Sequence, residues 1–112
     1  MITRVVPSLE DAKRKVAELV ESKGFGNTPE EIPNKLLFAF IELGEAGDSW
    51  KKAKPKAETI EELIDVIFYV LDASRLIDPS ANLDEVFERK LAKNLNRPHR
   101  YGEAFRDANG QV

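Results

Sequence analysis

Apolar residues recur at helical spacing in four stretches of the chain, and no stretch alternates with period two over the length of a strand. Leu9, Ala12, Val16, Leu19 and Val20 share one side of a helix predicted over about 9–23. Ser8 and Asp11 form a variant capping box in front of it, and Gly24 supplies the stop. In GFGNTPEEIPN, Thr28, Pro29 and Glu31 predict a short helical turn, and Pro33, tolerated in a first turn, opens a second helix over about 33–53. The basic loop KKAKPKAET, broken by Pro55, leads to Thr59 with Glu62 three residues later, which predicts the capping box of a third helix over about 60–77, closed by Pro79. Asn82 and Glu85 head a fourth helix over about 83–96, with Leu83, Val86, Phe87, Leu91 and Leu95 on one side and Pro98 beyond its end. The pattern predicts an all-α, four-helix bundle with short connections, a single domain over 1–112 that carries a basic C-terminal tail over 97–112.

The third helix is apolar in every direction. Seven of the eight residues from Ile64 to Leu71 are apolar or aromatic, and at about 100° per residue they surround the axis. Four helices of this size do not enclose such a helix unaided, so completion of the bundle by subunit association, as a homodimer or homotetramer, is expected.

Composition then narrows the chemistry. With no cysteine there is no disulfide framework, thiolate metal site or thiol nucleophile, and with His99 as the sole histidine no site needs two imidazoles. Catalysis must come from Asp, Glu, Lys and Arg, together with a hard, oxygen-preferring cation. No apolar run approaches the ~20 residues of a membrane span and the N-terminal stretch does not read as a signal peptide, so a cytoplasmic location and no membrane partner are expected. A pI near 5.3 argues against a nucleic-acid polymer as partner.

Most acids have plain structural explanations. Glu10, Asp11, Asp84 and Glu85 fall in first helical turns, where the macrodipole favours them, and Glu18 and Glu21 fall on a solvated face. Four do not fit so easily. In FAFIELGEAGDSW, Glu42 lies inside an apolar run and Glu45 follows at i+3. In TIEELIDVIFYVL, Glu62 and Asp65 repeat that spacing. Glu62 alone reads as a capping residue, but Asp65 sits between Ile64 and Val66, where an isolated buried carboxylate costs several kcal/mol or becomes neutral. Two antiparallel helices that offer these pairs to a shared seam describe a site for Mg²⁺ or Mn²⁺. Gly44 and Gly47 inside the second helix fit a close approach there by a backbone or ligand, or a simple helix contact. A ferritin-type metal pair is excluded, because it requires Glu-x-x-His motifs and His99 belongs to neither acidic helix.

The net charge of −3 conceals an asymmetry. Arg89, Lys90, Lys93, Arg97, Arg100 and Arg106 face one acid, Glu103, in the segment 89–106, for a local charge of +5. A cationic segment beside a carboxylate–metal site points to a phosphorylated substrate, and the absence of GxxxxGK[ST] excludes the P-loop route to it.

Taken together, these motifs resemble the MazG-type all-α nucleotide pyrophosphohydrolases. IELGE at 41–45, ELID at 62–65 continuing as DVIFYVLDAS, and Lys90, Asn94 and Arg97 in KLAKNLNRPHRYG follow the family's ordered blocks over about 35–106. Ile41 stands where the family has a further acid. The resemblance implies a MazG-type bundle and Mg²⁺-dependent hydrolysis of a nucleoside triphosphate between the α and β phosphates. It implies Glu42, Glu45, Glu62 and Asp65 as metal ligands, with Glu42 or Glu45 handling the water. Lys90, Asn94 and Arg97, and more distantly Lys35, become the phosphate or sugar contacts, and the basic segment adds Arg100, which Pro98 redirects, as a further substrate-binding candidate. Trp50 is available to stack on a base, whereas Phe38 and Tyr69 read first as core. Competing readings are a phosphoribosyl-ATP pyrophosphohydrolase and a non-catalytic helical dimer that binds nucleotide or protein.

Overall fold

The computed structural model describes residues 8–98. It is all-helical: α1 (Leu9–Lys23), a 3₁₀ turn (Pro29–Glu31), α2 (Ile32–Lys51), α3 (Lys56–Ile77) and α4 (Leu83–Leu95), with no strand among the described residues. The chain divides after Asn82. In the first unit α3 packs against both α2 and α1, and the 3₁₀ turn leans on α2. The second unit contains α4, whose residues Val86, Phe87, Leu91 and Leu95 are exposed. No helix among the described residues is long and apolar enough to cross a membrane.

The ends of α1 form as local chemistry dictates. Ser8 Oγ accepts from the Asp11 backbone N–H at 3.1 Å while the Asp11 carboxylate receives the Ser8 N–H, and Gly24 closes the helix in the left-handed region at φ 67°. The Gly24 and Phe25 N–H groups donate back to Glu21 and Val20, the two bonds of a Schellman turn. The same pair of bonds ends α2, from Ala53 to Trp50 and from Lys54 to Ser49, with Ala53 at φ 54° in the position usually held by glycine.

The start of α3 corrects the sequence reading. Thr59 is not its cap. The helix begins at Lys56 behind Pro55, whose carbonyl accepts from the Glu58 N–H at 2.9 Å, and Thr59 lies a turn inside, buried. Proline presets a helix-compatible φ, and the Thr59 hydroxyl finds a partner across the seam instead: Thr59 Oγ1 and Ser49 Oγ are 2.8 Å apart. Glu62 is thereby released from any capping role.

The buried stripe of α2 is Lys35, Ala39, Glu42 (half-buried), Ala46 and Ser49, at i, i+4, i+7, i+11 and i+14. The facing stripe of α3 runs Thr59, Glu62, Val66, Tyr69, Ala73 and Leu76. Small and polar residues therefore fill the α2–α3 seam, while Leu37, Phe40, Ile41, Leu43, Ile60, Ile64 and Ile67 lie exposed on the outer sides of the two helices. Gly44 and Gly47 do not mark a close helix contact within the chain: both are exposed, and a Cβ added at either meets nothing within 4 Å.

Candidate metal and substrate site

Reading along the seam gives three polar stations. At one end Ser49 and Thr59 share their hydrogen bond. In the middle Glu42 of α2 meets Glu62 and Asp65 of α3, with one carboxylate oxygen of each lying within 4.8 Å of the other two. At the far end the Lys35 ammonium lies 2.8 Å from Asp72 Oδ2.

The central cluster is the one that helical spacing predicts. Glu42 and Glu62 are half-buried on the facing stripes, and Asp65 reaches in from an exposed position one turn on. Glu45 is not one of the three clustered carboxylates, but it stands one turn along α2, beside Glu42. Desolvation first, then the charges of Glu45, Asp65 and Glu62, push the Glu42 carboxyl up to about 6. The donor set is entirely oxygen. Three carboxylate oxygens within 4.8 Å of one another are close enough for side-chain rotation to bring them onto one ion at ~2.1 Å. Residues and spacing fit a hard divalent cation.

Asp72 is the site residue that the sequence pattern does not announce. It is buried in α3 between two cations, Lys35 and Arg75, whose Nε donates to Asp72 Oδ1 at 2.8 Å. Its signal is present only in hindsight of the fold: Lys35 and Glu42 are seven residues apart on α2, and Asp65 and Asp72 are seven apart on α3.

A cavity of about 220 Å³ joins the two stations. Val16, Leu19 and Val20 of α1, Phe25, and Phe68 and Tyr69 of α3 form its apolar lining, with Glu42 and Asp65 on one hand and Lys35 and Asp72 on the other. Tyr69 is braced from behind by Phe38, the ring centroids being 5.5 Å apart.

Trp50 is exposed and lines a separate apolar cleft of about 630 Å³ with Leu43, Ala46, Ile60 and Leu63, apart from the carboxylates. Lys90 and Asn94 lie one turn apart and exposed on α4, and Arg97 sits just past the helix end, its N–H donating to the Asn94 carbonyl at 3.3 Å. Arg100 and His99 lie outside the described residues. No protein-family model, curated protein or solved structure matches the chain.

Proposed function

We propose that this chain is a Mg²⁺-dependent nucleoside triphosphate pyrophosphohydrolase, which releases the monophosphate and pyrophosphate in nucleotide-pool housekeeping. The observation that carries the reading is the convergence of Glu42, Glu62 and Asp65 from two helices onto one point of their seam. Without a cation that convergence is unfavourable, since three carboxylates repel one another in a partly desolvated place. The ordered motif blocks from Ile41 to Arg97, which contain the same carboxylates, resemble the MazG-type enzymes and agree with this reading.

Glu42, Glu62 and Asp65 would hold the cation, with Mn²⁺ as an alternative to Mg²⁺, and Glu45, one turn from Glu42, would complete the shell or act on water. A divalent ion bound there supplies positive charge for phosphate oxygens and makes a water nucleophilic near neutral pH. Glu42 or Glu45 would accept the proton of that water. The resemblance assigns the phosphate or sugar contacts to Lys90, Asn94 and Arg97, whose N–H donors suit phosphate oxygens. The outward apolar faces of α2 and α3 support a MazG-type bundle completed by a second copy, as a homodimer or homotetramer, because exposed apolar surface on this scale marks an interaction surface.

The test is a panel of nucleoside triphosphates with Mg²⁺, assayed for pyrophosphate rather than phosphate. Turnover that depends on Mg²⁺ and falls by about a hundredfold or more in Asp65→Asn and Glu45→Gln is expected. Normal pyrophosphate release by either variant would overturn the assignment.

A further inference from the structure

The cavity beside the carboxylates is too small for a whole nucleotide and is built unlike a phosphate site. Pockets that enclose drug-sized ligands run from about 300 Å³ upward, so one of about 220 Å³ takes a single flat group, with the rest of its molecule outside. Phe25, Phe68 and Tyr69 contribute aromatic rings to the lining, and Val16, Leu19 and Val20 add apolar wall. The polar group that decides its chemistry is Lys35.

The Lys35 side chain is 8% exposed, and among the described residues Asp72 is its one ion-pair partner. An ammonium carries three N–H donors and no acceptor, so donors remain unspent in a buried position on the cavity lining. Asp72 cannot act as an acceptor for a ligand on equal terms, since Lys35 holds one of its oxygens and Arg75 the other. Asp72 neutralises only one of its two cations, Lys35 and Arg75, but the Glu42 and Asp65 carboxylates on the same lining outweigh the other. This end of the cavity therefore offers hydrogen-bond donors to neutral acceptors more than it offers charge to an anion.

From this we infer that the cavity is a nucleobase subsite, in which an aromatic heterocycle packs against Tyr69 and Phe68 while a carbonyl oxygen or ring nitrogen on its edge accepts from the Lys35 ammonium. The inference rests on the proposed nucleotide reading and deepens it: Lys35 reads the base rather than the phosphates, and Trp50 has no part in it. Rings that lack an acceptor edge are rejected, because they leave a buried ammonium short of partners.

The test uses the full chain without metal and two uncharged probes, uridine and its phenyl C-riboside analogue, which keeps the sugar but has no acceptor on the ring. Binding is followed by NMR on the methyl groups of Val16, Leu19 and Val20 and on the Tyr69 ring. Uridine is expected to shift these signals and to bind at least tenfold more tightly than the phenyl riboside. Lys35→Met should bring the two probes level, and Tyr69→Leu, which leaves the ion pair intact, should weaken both by about tenfold while preserving the preference. Shifts confined to the Trp50 cleft, equal binding of the two probes by the unaltered protein, or a preference retained in Lys35→Met would overturn the subsite. If uridine seats here but no triphosphate is hydrolysed, the subsite stands and the enzymatic reading falls. Hydrolysis without a uridine seat gives the reverse.

Discussion

Lys35 and Asp72, 37 residues apart in sequence, form an ion pair of 2.8 Å in which both side chains are more than nine-tenths buried. Arg75 makes the second contact of the same carboxylate. Truncation of Asp72 therefore strands two buried cations at once, whereas loss of Lys35 leaves Asp72 still paired. Removing one partner of a buried pair costs about 3–5 kcal/mol, a large share of the ~5–15 kcal/mol that holds a typical domain together. Asp72→Ala is expected to lower the urea midpoint severely, and Lys35→Met distinctly less. The opposite order in urea melts would mean that Arg75 does not compensate Asp72.

A second expectation concerns the bond between Ser49 and Thr59. Thr59→Val leaves the Ser49 hydroxyl buried without its partner, at a cost of about 1–3 kcal/mol. The double variant Ser49→Ala with Thr59→Val should cost less than the sum of the two singles, with a coupling of about 0.5 kcal/mol or more. A threonine acting as a helix cap would lose about 1 kcal/mol regardless of residue 49, so a coupling of zero in the cycle would return Thr59 to that role.

These two pairs show where sequence reading reaches and where it stops. Ser8, Asp11 and Gly24 are legible because a cap is satisfied within a few residues of itself, and α1 has the predicted bounds. Thr59 and Glu62 carry the same local pattern without the same role, since Pro55 had already started the helix and a partner ten residues upstream took the hydroxyl. Glu42 and Asp65 stand out in sequence because an acid inside an apolar run needs an explanation, and the structure brings both to one place. Lys35 and Asp72 gave no comparable signal, because the charge that makes each tolerable comes from the other helix. The helix faces were also harder to assign than the helices: apolar spacing alone does not say that Ala39, Ala46 and Ser49 face inward while Phe40, Ile41 and Leu43 face out.

The turn after α2 gives a prediction that depends on backbone alone. Ala53 adopts φ 54°, where a Cβ crowds the following carbonyl at a cost of roughly 1–2 kcal/mol, and its side chain is exposed with no packing to lose. Ala53→Gly removes that crowding but adds entropy to the unfolded chain, so a net gain of up to about 1 kcal/mol is expected. Thermal melts should show a higher midpoint; a lower one would mean that the Schellman turn at Lys52–Lys54 is not held in this form.

Glu42 links stability to pH and to the cation with opposite signs. Its carboxyl is raised from the ordinary 4.5 to about 6, so between those values the folded protein holds a proton that the unfolded chain has released. The stabilisation from Glu42 is fully present below about 4.5 and is lost as pH rises through 6, which makes the metal-free protein lose stability across that window relative to Glu42→Gln. The difference between the two urea-melt series at each pH isolates this residue from the other carboxyls, and it should favour Glu42→Gln at pH 7. Mg²⁺ reverses the ranking, because a cation binds the ionised carboxylate and stabilises by mass action, increasingly as pH rises past about 6. Addition of Mg²⁺ at pH 7 should therefore raise the melting temperature of the unaltered protein and leave Glu42→Gln nearly unmoved. Equal Mg²⁺ stabilisation of both proteins would place the cation away from Glu42, and a Glu42→Gln protein less stable than its parent without metal at pH 7 would show that the carboxylates do not strain the seam.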